Sequence, residues 1–288
     1  MINYIYVLMA VILLAVEFAI YKNYQNVEGS DRVAGLKYNA LVGAFTAVLF
    51  FFIGGCKFTV SLFSIALAAV MCVFSVSCVQ AGLKILKKGN LALYTFFLLS
   101  GGMILPYVYG VIFLNEELNI LRVVGLIVFT VAILLAGDAK LNIDKKDRLL
   151  CFAVFVMNGG ISIISKTHQI DPWSMAVSST EYVMLTGLCK AIFSMIMLLT
   201  SGKGNVKRLF NSKKVFILLA VSALISGLAY MLQLIGAVQL PATVLYPLVT
   251  GGSLIFTAIA GRIIFKEKIT KKQAISIGLC LMGTLLFL

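Results

Sequence analysis

Apolar residues run in long stretches along this chain, and polar ones are confined to short gaps between them. A membrane-crossing helix needs about 20 mostly apolar residues. Ten such runs can be laid down, at residues 3–22, 34–54, 59–82, 90–114, 119–137, 149–167, 176–200, 214–236, 241–263 and 270–288. The apolar positions cover nearly every face of these segments, which predicts lipid and not water as the solvent. The longest polar gaps, Lys22 to Arg32, Asp138 to Arg148 and Ser201 to Lys214, leave no room for an inserted soluble domain. Residues 1–20 lack the basic start and small-residue cleavage site of a secretory signal, so they read as the first span. The pattern predicts an all-α membrane protein whose function resides in its spans.

The chain also repeats itself. Residues 90–137, laid without a gap on 241–288, superpose Gly101 on Gly252, Gly110 on Gly261 and Glu116 on Glu267. In each half the Glu closes one apolar run, and a helix-capping residue, Asn119 or Thr270, opens the next. A second pairing places Lys22 on Lys166 and Gln25 on Gln169. The expected organisation is two five-helix repeats, residues 1–138 and 139–288. Five is odd, so the second half is expected to run inverted relative to the first, around a central cavity near the midplane.

The two tracts from Gly101 to Gly125 and from Gly251 to Gly278 each lead through small residues to a Glu and a further apolar helix. They resemble the paired EamA domains of the drug/metabolite transporter superfamily. Asn158-Gly159-Gly160, followed by Ser165-Lys166-Thr167-His168-Gln169, is similar to the sixth helix of bacterial members. The resemblance covers essentially the whole chain. It implies a ten-helix basket, a cavity lined mainly by helices 1, 3, 4, 6, 8 and 9, and transport of metabolites or drugs. This chain departs from the family in having Asn115 and Lys266 where a Gly usually precedes the Glu.

Composition agrees with a membrane solvent, at 61% hydrophobic, 12% charged and mean hydropathy +1.05. A net charge of +13 raises the question of nucleic acid. The basic residues sit in gaps between spans, with no basic helix, zinc spacing or aromatic RNA-binding motif, so no nucleic-acid partner is expected. They act as orientation signals instead. The 6 cysteines include no Cys-x-x-Cys pair and lie mostly in apolar runs, and His168 is the single histidine. Neither a disulfide framework nor a metal or cofactor is expected.

Ionisable residues inside spans are expensive and mark function by default. Lys190 is too deep to snorkel easily, so it either pairs structurally or lines a substrate path. Glu17 can bind a cationic group or carry a coupling proton; its alternative is a helix-end carboxylate neutralising Lys22. Gln80, Asn158, Tyr230, Gln233 and Tyr246 can hold a polar substrate or bond helix to helix. Gly101, Gly110, Gly252 and Gly261 are expected to permit close packing, with a hinge as the alternative. Pro106 and Pro247 free backbone carbonyls, so a broken or kinked helix is expected at each. Glu116 and Glu267 read as structural, each favoured by the dipole of the helix that follows it.

No nucleophile and base set or phosphate loop is visible. The expected function is secondary transport of a small molecule across the cytoplasmic membrane, coupled to an ion or to a counter-substrate, by a monomer or homodimer in the lipid bilayer. The alternatives are a polytopic membrane enzyme using Lys190 and Glu17, and a transport-incompetent scaffold subunit. Twenty of the 24 Lys and Arg residues fall in the gaps after runs 1, 3, 5, 7 and 9 or in the run ends that flank them, among them Lys84, Lys145, Lys213 and Arg262. Basic loops stay in the cytoplasm, so both termini are expected outside.

Overall fold

The computed structural model describes residues 2–29, 31–86, 91–136, 145–173, 175–201, 213–266 and 270–287. Glu267, the boundary at 138 and 139, and Lys87, Lys88, Lys140, Lys203, Lys207, Arg208 and Lys268 lie outside these residues. Among the described residues there are ten helices and no strands: α1 (Ile2–Glu28), α2 (Arg32–Ile53), α3 (Leu62–Leu86), α4 (Leu91–Phe113), α5 (Ile120–Ala136), α6 (Lys145–Gln169), α7 (Ser179–Thr200), α8 (Lys213–Gln239), α9 (Ala242–Phe265) and α10 (Lys271–Leu285). Eight are long and apolar enough to cross a membrane. The other two, α5 with 17 residues and α10 with 15, are shorter than the runs read from the sequence. At 1.5 Å per residue, α10 extends only about 22 Å.

Helix ends follow local chemistry. Asp31 caps α2 by accepting from the Ala34 N–H at 3.0 Å, and Asn119 accepts from the Leu121 N–H at the start of α5. Thr270 and Gln273 form a capping box on α10, as Ser178 and Glu181 do on α7. The two departures from the expected glycines have the same conformation. Asn115 closes α4 at φ 53° and Lys266 closes α9 at φ 55°. Both are left-handed positions, where Gly is easiest and Asn is tolerated. Beyond each helix end a backbone N–H returns to a matched glycine: Glu116 N–H donates to Gly110 O and Lys266 N–H to Gly261 O.

Packing joins the two halves of the chain throughout. Helix α2 lies on α7, α5 on α10, and α4 on α9; α1 lies between α8 and α9, while α6 lies between α3 and α4. At the α4–α6 crossing, Gly101 faces the Phe155 backbone so closely that a Cβ would overlap it, and Gly159 faces Gly101 O in return. Gly252 packs on Val11 of α1. Large apolar side chains such as Leu8, Ile12, Val70, Ile192 and Ile196 point outward, where a lipid solvent would meet them.

Of the broken or kinked helix expected at Pro106 and Pro247, a break is absent: both lie inside helices that continue through them. For α4 the reason is visible. The carbonyl that Pro106 leaves without its backbone partner is Gly102 O, and it accepts from Ser162 Oγ of α6 at 3.5 Å.

Candidate functional site

Helix α1 carries Glu17 and α7 carries Lys190 near its middle, and the fold brings these charges together deep in the bundle. They are electrostatically coupled, and Glu17 also interacts with the hydroxyl of Tyr38 on α2. Tyr38 hydrogen-bonds Ser222 Oγ on α8, and its ring leans on Tyr21 with centroids 4.5 Å apart. Cys72 of α3 borders Lys190. Five helices thus meet at one carboxylate and one ammonium. Glu17 and Lys190 are half-buried as residues, whereas Tyr38 and Ser222 behind them are buried at 5% and 0%. Lys22 lies 4.4 Å over the Phe265 ring of α9.

A second polar cluster closes the end of the bundle that carries the less basic loops. Lys166 of α6 is buried at 4%, and its Nζ donates to Ala237 O at 2.6 Å and to Leu240 O at 2.7 Å, the last carbonyls of α8. Beside it, the Glu116 carboxylate accepts from the Ala242 and Thr243 N–H groups at 2.6 and 2.8 Å. One cation thus caps the negative end of α8, while one anion caps the positive end of α9. This corrects the expectation for Glu116, which serves a helix of the other half of the chain and not the helix that follows it; Asn119 already caps α5. Tyr230 donates to or accepts from Ser165 Oγ at 2.9 Å and reaches Met71 Sδ at 3.2 Å, which joins α8 to α6 and α3. Tyr246 is buried among Tyr230, Tyr109 and Glu116.

His168 belongs to the same end. Gln169 Nε2 donates to its Nδ1 at 2.8 Å, which leaves Nε2 to donate to Ser64 Oγ at 2.9 Å. Its ring stacks on Tyr182 with centroids 3.5 Å apart. In the α6–α7 loop, desolvation pushes the Asp171 carboxyl up. The N–H groups of Trp173, Met175 and Ala176 outweigh it and hold the group below the ordinary carboxylate range.

The remaining sequence-named residues fall elsewhere. Asn158 donates to Leu98 O at 2.7 Å across the α4–α6 contact. Gln233 is half-buried on the turn of α8 after Tyr230. Gln80 lies on α3 in a cavity of ≈ 520 Å³ near the other end of the bundle. Lys166, Tyr38 and Ser222 are not among the candidate site residues read from the sequence. Lys166 stands at the end of its apolar run, where the sequence does not distinguish it from a loop charge. The hydroxyls of Tyr38 and Ser222 gave no signal in otherwise apolar stretches.

These features define a multi-pass helical membrane protein. Residues 148–288 match the EamA-like transporter family. That match, over just under half of the chain, is consistent with a protein of the EamA type within the drug/metabolite transporter superfamily. A solved structure described as "Crystal structure of protein" is similar at 12% identity with TM-score 0.77, over 99% of this chain and 95% of its own. At that identity the likeness speaks for the fold alone. No curated protein gives a significant match.

Proposed function

We propose that this chain is a secondary transporter that carries a small polar metabolite or drug across the cytoplasmic membrane by alternating access, with its substrate site at Glu17 and Lys190. The observation that carries the reading is that pair. Charged groups at bilayer depth cost several kcal/mol, and proteins keep them where they face a partner or a wet path. Here a carboxylate and an ammonium face one another in the interior, backed by buried hydroxyls from α2 and α8. A net-neutral site of this kind suits a substrate that can hydrogen-bond to both charges.

The helix pairings support ten spans arranged as an inverted five-plus-five repeat. Exchanging each helix for the one five places along maps α2–α7, α4–α9 and α5–α10 onto themselves, and α1–α8 onto α6–α3. Two pairings depart from this symmetry, α5 on α9 and α6 on α8. Helix α6 packs on α8 at the Lys166 end, while α1 and α3, its counterparts, make at most marginal contact among the described residues. This asymmetry suits a conformation closed at the Lys166 end and accessible from the end with basic loops. By the charge rule that open end is cytoplasmic, and both termini are outside. Transport proceeds as one half rocks against the other and Lys166 releases the carbonyls of α8. Coupling is to an ion gradient or to a counter-substrate.

The enzyme reading has less support, because the central pair has no histidine or second carboxylate beside it among the described residues. Native mass spectrometry of the purified protein with a mixture of metabolites tests the site. Retention of a solute by the native chain and its loss on Glu17→Gln is the expected result. Equal retention by both chains would remove Glu17 from the site.

A further inference from the structure

The ≈ 520 Å³ cavity lies between α2, α3, α6 and α7, at the end of the bundle opposite Lys166. Its polar lining is of one kind. Arg32, Lys84, Gln80 and Ser77 contribute a guanidinium, an ammonium, an amide and a hydroxyl, and no carboxylate lines it among the described residues. Gln80 Nε2 is buried without a hydrogen-bond partner. An unpaired buried donor costs about 1–3 kcal/mol, a cost that a bound acceptor would relieve. The neighbouring Asp31 is already occupied, capping α2 through the Ala34 N–H.

Depth and the remaining walls narrow the ligand further. Arg32 is the first residue of α2, Lys84 is in the last turn of α3, and Gln80 is one turn farther in. The cations therefore sit at headgroup level, with the amide just below them. Met157 and Met197 supply an apolar wall. Arg binds oxyanions through a planar two-pronged fork, and Lys adds a mobile point charge. Basic pockets between helix ends on a cytoplasmic face suit anionic headgroups.

We infer that this cavity is a binding site for an amphiphilic oxyanion, with a phosphate-type group held by Arg32, Lys84 and Gln80 and an apolar body against Met157 and Met197. The site stands apart from the Glu17 and Lys190 pair and does not depend on transport. Its ligand can come from an anionic lipid of the bilayer or from a free organic phosphate, and both present the same group.

The test uses the purified full-length chain, with binding followed by native mass spectrometry and thermal stabilisation. Three probes are compared: dioctanoyl phosphatidylglycerol, dioctanoyl phosphatidylcholine and glycerol 3-phosphate. The anionic lipid should bind more tightly than the choline lipid. Arg32→Gln with Lys84→Gln should weaken it about tenfold or more, since hydrogen bonds to charged groups contribute about 1.5–3 kcal/mol each. Gln80→Leu, which keeps every charge, should weaken it less, and Lys213→Gln, an exposed cation at the start of α8, should leave it unchanged. Binding of glycerol 3-phosphate with the same variant pattern identifies a free organic phosphate as a ligand; lipid binding alone identifies the bilayer as the source. The inference is overturned if no anionic probe binds, or if the double variant binds like Lys213→Gln. Should the double variant fail to fold, unchanged affinity in both Gln80→Leu and Lys84→Gln overturns it equally.

Discussion

Replacing Lys166 with Met removes the cation that holds α6 to the end of α8, while a side chain of similar length still fills the space. Two charge-assisted bonds are lost, at 2.6 and 2.7 Å. Each contributes about 1.5–3 kcal/mol, or about 3–6 together. Removing a buried ammonium also relieves its desolvation, which offsets part of that loss. Glu116 keeps its two N–H donors from Ala242 and Thr243, so no carboxylate is left stranded. The net loss is then about 2–4 kcal/mol, and it falls on the closed end of the bundle. That corresponds to a factor of roughly 30 to 700 in the ratio of closed to open forms. Spin labels at Val238 and Met175, both exposed near this end, report the change in lipid nanodiscs once Cys56 is replaced by Ser. Pulsed dipolar spectroscopy should show a second, longer distance in Lys166→Met that is minor in the parent. An unchanged distance distribution together with an unchanged unfolding temperature would refute the role given to Lys166.

Other expectations follow from the same geometry. Either Glu17→Gln or Lys190→Met alone leaves an unbalanced interior charge and should destabilise by up to about 3–5 kcal/mol, less in so far as the pair is reached by water. The double variant should recover most of that loss in unfolding temperature, and destabilisation no smaller than the sum of the singles would show that the two charges are not coupled. Asp171 has a lowered carboxyl pKa, so its hold on the α6–α7 loop is complete above the ordinary carboxylate range and is lost as pH falls through the lowered value. Protection from hydrogen exchange at the Trp173, Met175 and Ala176 amides, taken relative to the intrinsic rate at each pH, should therefore fall only in acid, with Asp171→Asn abolishing that fall. A reporter fused after residue 288 should be active outside the cytoplasm; a fluorescent cytoplasmic reporter at that position would reverse the orientation.

Much of the fold was legible in the apolar runs, because each span satisfies its own backbone and so announces itself locally. The observed helices depart from the runs most at α1, which continues six residues past its run to Glu28, and also at α6, which starts four residues before its run, because a helix continues through polar residues that end an apolar run. Asn115 and Lys266 looked like departures from a glycine pattern, yet both adopt the left-handed conformation that the pattern requires. The sites were less legible. Glu17 and Lys190 each stood out as intramembrane charge, but only tertiary packing of α1 on α8, and of α8 on α2 and α7, brings them into one cluster. Glu116 was read against the helix that follows it in sequence, whereas its oxygens reach the first amides of α9. Lys166 was hidden by its place at the end of a run, where a snorkelling lysine and a buried capping lysine have the same sequence signature.

Solute flux across a sealed bilayer tests the central claim most directly. The purified chain is reconstituted in liposomes loaded with a mixture of isotope-labelled metabolites, and efflux into unlabelled medium is followed by mass spectrometry. The parent should release at least one solute faster than protein-free liposomes, and the charge-neutral Glu17→Gln, Lys190→Met variant should lose that release while remaining folded. Release of the same solute at the parent rate by the double variant, or no release by a correctly folded parent across the whole mixture, would contradict a transport site at this pair.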